Sequence, residues 1–207
     1  RHVGIEVRVV DIGVAFDFEG VSGLIHKKVM PGTKNMLVES AMSPAQAEQA
    51  LQVGIDLATE AGRQGIGLIG TGEMGIGNTT ASSAIAAVLT CRPVSEVTGR
   101  GTGIDDASHA HKIDVIQRTL DLHRLDSTNA MEVLAKVGGL EIGGLAGLML
   151  GAAEARIPVV LDGFIAGAAA LIAVGLQPHC QDYLIASHRS VEQGHQAILD
   201  HLGLKPL

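Results

Sequence analysis

Apolar positions group along the chain in two patterns. Short apolar runs of strand length fall at 7–14, 66–69 and 157–161, the last two followed by Gly70 and Asp162, with a weaker one at 183–186. Such runs lack the polar–apolar alternation of a half-exposed strand and predict strands covered on both faces. Between them the spacing becomes helical. Ser43, Pro44 and Gln46 read as N-cap, N1 proline and capping-box Gln, with Ala47, Leu51, Gly54, Ile55 and Ala58 on one face. Asp106 is placed to cap a helix carrying Ile113, Ile116 and Leu120. Ser127 is placed to cap another carrying Ala130, Val133, Leu134 and Val137, stopped by Gly138 and Gly139. Residues 190–193 read as a second capping box, and Gly203 closes the helix that follows. The uncharged runs 142–153 and 163–181 read as buried helices, while 19–40 carries few regular signals and reads as an excursion from the sheet. Strands separated by helices predict an α/β fold, a Rossmann-like parallel sheet with helices on both faces. No linker, low-complexity tract or fixed repeat divides residues 1–207, so one domain is expected.

Composition narrows the function classes. With 46% hydrophobic and 18% charged residues, wholesale disorder is excluded. The net charge of −7 argues against nucleic acid, whose phosphates need Lys and Arg. Tyr183, three Phe and no Trp leave no platform for stacking bases. A mean hydropathy of +0.30 raises the membrane question. However, the longest uncharged run ends among Gln177, Pro178, His179 and Gln181, leaving its apolar part too short to span a bilayer. Cys91 and Cys180 lie far apart in no metal-ligand spacing, as expected in a reducing cytoplasm. The chain opens at Arg1 without Met, and a fragment of a longer protein is expected.

The candidate chemistry lies in two glycine-rich turns. The first carries Gly70, Gly72, Glu73, Gly75 and Gly77 between a strand and a helix expected near Asn78. A turn of this kind exposes backbone N–H groups at a helix N-terminus, a site suited to phosphate. Gly70, Gly72 and Gly75 satisfy G-x-G-x-x-G, and Glu96 is at a spacing suited to a ribose contact. Asn78 follows Gly77 where a P-loop needs Lys, which disfavours an NTPase. The competing reading is a βα turn that needs glycine for packing alone. Glu73, a carboxylate among glycines and apolar residues, is either dehydrated and suited to acid–base work or simply favoured by a helix dipole. The second turn, 98–106, also leads into a helix, and Lys112 two turns along could reach back to an anion or stay solvated. Asp162 ends a strand where α/β sheets place ligands, with capping the next helix as its rival role. The nine His residues share no ligand spacing, so no metal and no cofactor are expected, and no Ser/His/Asp order or nucleophile elbow appears.

Five segments in order resemble the nicotinate-nucleotide–dimethylbenzimidazole phosphoribosyltransferase family: 72–80 (GEMGIGNTT), 99–106 (GRGTGIDD), 137–142 (VGGLEI), 159–165 (VVLDGFI) and 186–195 (ASHRSVEQGH). With 9–14 upstream they cover nearly the whole chain. The resemblance implies transfer of the phosphoribosyl group of nicotinate mononucleotide to 5,6-dimethylbenzimidazole, giving α-ribazole 5′-phosphate and nicotinate for the cobamide lower ligand. It implies a homodimer with a Rossmann-like sheet plus a small helical domain built from both chain ends, here largely missing. By motif, Glu73 matches an active-site carboxylate. Gly75, Ile76, Gly77, Gly101, Thr102 and Lys112 match the phosphoribosyl cradle; Asp162 and Ser190 match further substrate contacts. The family's Gly-Asp-His-Gly motif is absent before Arg1. Its Leu-Gly-Glu-Gly motif, which carries the general base, would fall beyond Leu207, so a large-domain core with little activity of its own is expected. Two rivals remain: a nicotinamide-dependent oxidoreductase built on Gly70, Gly72, Gly75 and Glu96, and a non-catalytic nucleotide-binding module.

Overall fold

The computed structural model describes residues 4–75, 77–101 and 103–207. Strands β1 (Val9–Asp11) and β2 (Leu24–His26) pair in parallel in a sheet of their own. Helix α1 (Pro44–Arg63), strand β3 (Ile69–Gly70), helix α2 (Asn78–Leu89), the single turn α3 (Val94–Val97) and helix α4 (Asp106–His123) follow. The chain continues through α5 (Ala130–Val137), α6 (Leu140–Glu154), β4 (Val159–Leu161) and α7 (Gly163–Leu176). A 3-10 helix (Pro178–Tyr183), β5 (Leu184–Ala186) and α8 (Gln193–Leu202) complete it. The order of the second, wholly parallel sheet is β3-β4-β5, with Ile69 opposite Val159 and Val159 opposite Leu184.

The α/β expectation holds with one difference. The run at 7–14 does not join the other three; it finds β2 inside the segment expected to be irregular. Lys27 and Val29 extend this pairing by donating to Asp11 O and Ile12 O, each at 2.9 Å.

Helices α6 and α7 are apolar on most faces, and such helices belong in a core rather than on a surface. Leu140, Ile142, Ala146 and Met149 of α6 and Leu171 and Ile172 of α7 are buried. Helix α1 packs along α6 through the face expected of it, burying Ala47, Ala50, Leu51, Gly54 and Ala58. Its start is the reciprocal box read from the sequence: Gln46 N donates to Ser43 Oγ at 3.2 Å, and Ser43 N donates to Gln46 Oε1 at 2.9 Å. Two glycines let the α1 and α6 backbones touch. A Cβ at Gly54 would overlap the Gly144 carbonyl oxygen, and one at Gly147 would overlap that of Leu51.

Three other caps differ from expectation for local reasons. Helix α4 is capped by Asp105, which accepts from Ser108 N at 2.7 Å, because Asp106 pairs with Arg100. Helix α5 is capped by Asn129 rather than Ser127, and Gly203 closes α8 in the left-handed conformation as expected. There is no box at Ser190: its Oγ accepts from Glu192 N two residues on, and α8 starts one turn later. Among the described residues no helix is long and apolar enough to cross a membrane.

Candidate active site

The C-terminal ends of β3, β4 and β5 lie side by side, the position at which parallel α/β sheets bind ligands. Thr71, just past β3, ties two of these ends together. Its N–H donates to Val160 O at 2.9 Å, and its hydroxyl accepts from Asp162 N at 2.9 Å. Ser187, just past β5, donates its hydroxyl to Leu161 O at 2.6 Å. The three strand-end loops are thereby held together around one opening, and the 98–105 loop joins them through Lys112 and Glu192.

The first loop enters α2 through Gly77, a left-handed N-cap at φ 85° with no side-chain cap bond. The first N–H groups of a helix have no partner inside it and carry the positive end of its dipole, so this end of α2 suits an anion. Glu73 sits just before it, half-buried. Its Oε2 accepts from Gly75 N at 2.9 Å and from the Asn78 side-chain amide. The Gly75 N–H is therefore engaged by Glu73 rather than free for a phosphate.

The second loop, 98–105, faces the same opening. Lys112 reaches it from the second turn of α4. Its ammonium donates to Thr79 Oγ1 at 2.9 Å and to Gly99 O at 3.3 Å. Lys112 is half-buried, which lowers its pKa from the ordinary lysine value, while the negative charge of Glu192 opposes that shift. Gly101, at φ 55°, lies under this ammonium: a Cβ there would stand 3.4 Å from Thr79 Oγ1 and 3.9 Å from Lys112 Nζ. The N-terminus of α4 is capped by Asp105, which accepts from Ser108 N, so of the two glycine-turn helices only α2 starts without a side-chain cap.

The remaining loops close the ring. Asp162 stands at the N-cap of α7 without a side-chain cap bond, its carboxylate exposed and 3.9 Å from His188 Nδ1. Gly163 is left-handed at φ 74°, and a Cβ on it would approach His188 and Ser190 within 4.0 Å. Ser190 N donates to His195 Nδ1 at 2.9 Å. Of the residues picked out from sequence, Glu73, Gly75, Gly77, Gly101, Lys112, Asp162 and Ser190 all border this opening; Ile76 and Thr102 lie outside the described residues. Glu96 does not: it pairs with Arg92 at 3.6 Å on α3.

Four residues beside these side chains were not singled out from sequence. Thr79 and Asn78 stood inside the quoted glycine motif, but only the fold brings Lys112 onto one and Glu73 onto the other. Glu141, half-buried in the first turn of α6, is shifted upward from the ordinary carboxylate value by burial, with the charge of Glu73 adding to it. His195, 2% exposed, is pushed down to about 4 by burial and by the positive charges of His188 and Arg189.

A pH dependence follows from His195. Its folded pKa lies below the ordinary 6.5, so it stabilises the fold fully above pH 6.5, and this is lost as pH falls from 6.5 toward 4. The loss is on the order of 3 kcal/mol across that window. Urea unfolding at pH 7 and pH 4.5 measures it, and His195→Gln should flatten the difference between the two.

A family model described as phosphoribosyltransferase matches residues 1–207. The nicotinate-nucleotide–dimethylbenzimidazole phosphoribosyltransferase of Chloroflexus aggregans is 60% identical over all 207 residues, and that of Roseiflexus castenholzii 59%. A crystal structure of the enzyme of this name from Thermus thermophilus superposes with a TM-score of 0.88 at 41% identity, covering 96% of this chain and 58% of that one. The chain spans 59% of the length of these two curated relatives. The family model runs through every segment that builds the opening, and the chain belongs to the phosphoribosyltransferase family.

Proposed function

We propose that this chain binds nicotinate mononucleotide and takes part in transfer of its phosphoribosyl group to 5,6-dimethylbenzimidazole, the reaction named for its relatives. The observation that carries this reading is the Lys112 ammonium, held by Thr79 and Gly99 over Gly101 at the N-terminus of α2. A cation, a hydroxyl and unpartnered helix N–H groups around a glycine floor are the donors a phosphate monoester needs.

In this reading Gly75, Ile76, Gly77, Gly101, Thr102 and Lys112 form the phosphoribosyl cradle, Ser190 adds a further phosphate contact, and Asp162 contacts the substrate. Lys112 exchanges Gly99 O for a phosphate oxygen, and Gly75 N–H becomes a donor when Glu73 turns to the substrate. A benzimidazole nitrogen attacks C1′, the bond from C1′ to nicotinate breaks, and the configuration inverts. The proton on the attacking base passes to a carboxylate. Glu73 is an active-site carboxylate beside the reacting centre, distinct from the family's general base. Residues 1–207 form the α/β large domain; the homodimeric state and cytoplasmic location implied by the resemblance belong to the same proposal.

Calorimetric titration with nicotinate mononucleotide tests the reading, followed by chromatography of nicotinate released when dimethylbenzimidazole is added. Saturable binding is expected. A folded sample that binds NAD and ignores the mononucleotide would overturn it in favour of an oxidoreductase. Mononucleotide binding that never leads to nicotinate release, even in the complete protein, would reduce the chain to a binding module.

A further inference from the structure

Glu192 has no role in the reading above, yet it occupies the cradle. Its Oε2 is shut off from solvent and finds no hydrogen-bond partner among the described residues. That oxygen rests on Gly99, where a Cβ would overlap it, and Gly99 O accepts from Lys112. Glu192 N donates to Ser190 Oγ at 3.2 Å, and its neighbour Gln193 donates to Ser95 O at 3.3 Å. A carboxylate oxygen buried without a donor is costly, so its place calls for a compensating charge.

We propose that Glu192 is a positioning residue of the phosphate cradle: its carboxylate, seated on Gly99, is the counter-charge that holds the Lys112 ammonium in place and ties the Ser190 turn to the 98–105 loop. The proposal rests on the phosphate reading above. It makes Gly99 a seat for a carboxylate and explains why a side chain is excluded there.

The charges on the elements around Lys112 leave this role to Glu192. Helix α2 carries no charged residue. Arg100 and Asp106 pair with each other, Asp105 caps α4, and Glu96 pairs with Arg92. His109 Nε2 lies 2.8 Å from Thr98 O, and the nearby His111 and Asp114 on α4 are exposed. Glu73 is engaged by Gly75 N and the Asn78 amide, Asp162 faces His188, Arg189 is exposed and His195 is kept neutral, so among the described residues Glu192 is the anion that favours the protonated lysine.

The test compares the wild type with Glu192→Gln, Glu192→Asp and Gly99→Ala. The Lys112 side chain is followed by NMR from pH 7 to 11 without ligand, with Lys112→Ala used for assignment. Removing the anion should lower the pH at which Lys112 loses its proton by about one unit in Glu192→Gln. Gly99→Ala, which evicts the carboxylate from its seat, should shift it the same way, and Glu192→Asp should stay closer to the wild type. Alkaline loss of mononucleotide binding should follow the same order. A wild-type midpoint in both Glu192→Gln and Gly99→Ala overturns the proposal, and Gly99→Ala alone decides if Glu192→Gln does not fold. A Lys112→Ala variant that binds the mononucleotide normally would instead sink the phosphate reading, leaving the ligand-free titration to judge Glu192 by itself.

Discussion

Lys112→Ala should weaken binding of nicotinate mononucleotide about 100-fold, a loss near 3 kcal/mol and the scale expected for a charge-assisted hydrogen bond to a phosphate. The magnitude follows from where the ammonium sits. It is half-buried, already desolvated and already held over Gly101 by Thr79 and Gly99. Little side-chain entropy remains to be lost when the ligand arrives, and the attraction acts in a site with less water to screen it. Lys112→Arg should recover only part of the affinity, because a planar fork does not fit above the Thr79 hydroxyl as a compact ammonium does. Calorimetry on the two variants checks both numbers. Fold stability should also fall modestly, since the variant loses the hydrogen bonds to Thr79 and Gly99 O and leaves the buried Glu192 carboxylate without its nearby cation.

Gly147→Ala should lower the melting temperature by about 10 °C, corresponding to roughly 3 kcal/mol or more for a chain of this length. Two effects oppose each other. Alanine favours a helix over glycine by about 1 kcal/mol, which alone would stabilise α6. Against it, the new Cβ would meet the Leu51 carbonyl oxygen and its neighbouring backbone atoms on α1, none of which can swing aside as a side chain does. The clash wins. Gly144→Ala on the same helix provides the contrast: its nearest obstacle is Ile12 Cδ1 at 2.7 Å, the end of a flexible side chain, so its cost should be much smaller. Thermal unfolding of both variants separates the close-approach account from a general intolerance of α6 to change.

The parts of the fold legible in the sequence are those decided by neighbours a few residues apart. Ser43 and Gln46 cap each other, Gly203 closes α8, and α2 begins at Asn78 once the glycine turn ends. Glu73 and the glycines around it were visible for the same reason, as a dense local motif. Where two acceptors competed for one N–H, the outcome was not legible. Asp105 rather than Asp106 caps α4 because Arg100, four to six residues away, takes Asp106 and Ile104 O. Ser190 folds onto Glu192 rather than opening a helix because His195 takes its N–H. The partition of strands was hidden for a different reason: choosing β2 over β3 as the partner of β1 is a long-range decision that no local pattern encodes. Glu192 and Thr79 gain their places only from loops dozens of residues apart.

The ring of loops has a consequence for how the site forms. Thr71 is tied to Asp162 across 91 residues, Lys112 to Thr79 across 33, and Gln193 to Ser95 across 98. No contiguous piece of the chain holds the opening, so the site can form only after the three-stranded sheet has paired. Distant pairings of this kind close late, because the chain must lose loop entropy before they reward it. Ligand affinity and completion of folding are then one cooperative event. A mononucleotide that recognises the closed ring acts as a folding ligand, able to rescue destabilised variants far from the site by mass action.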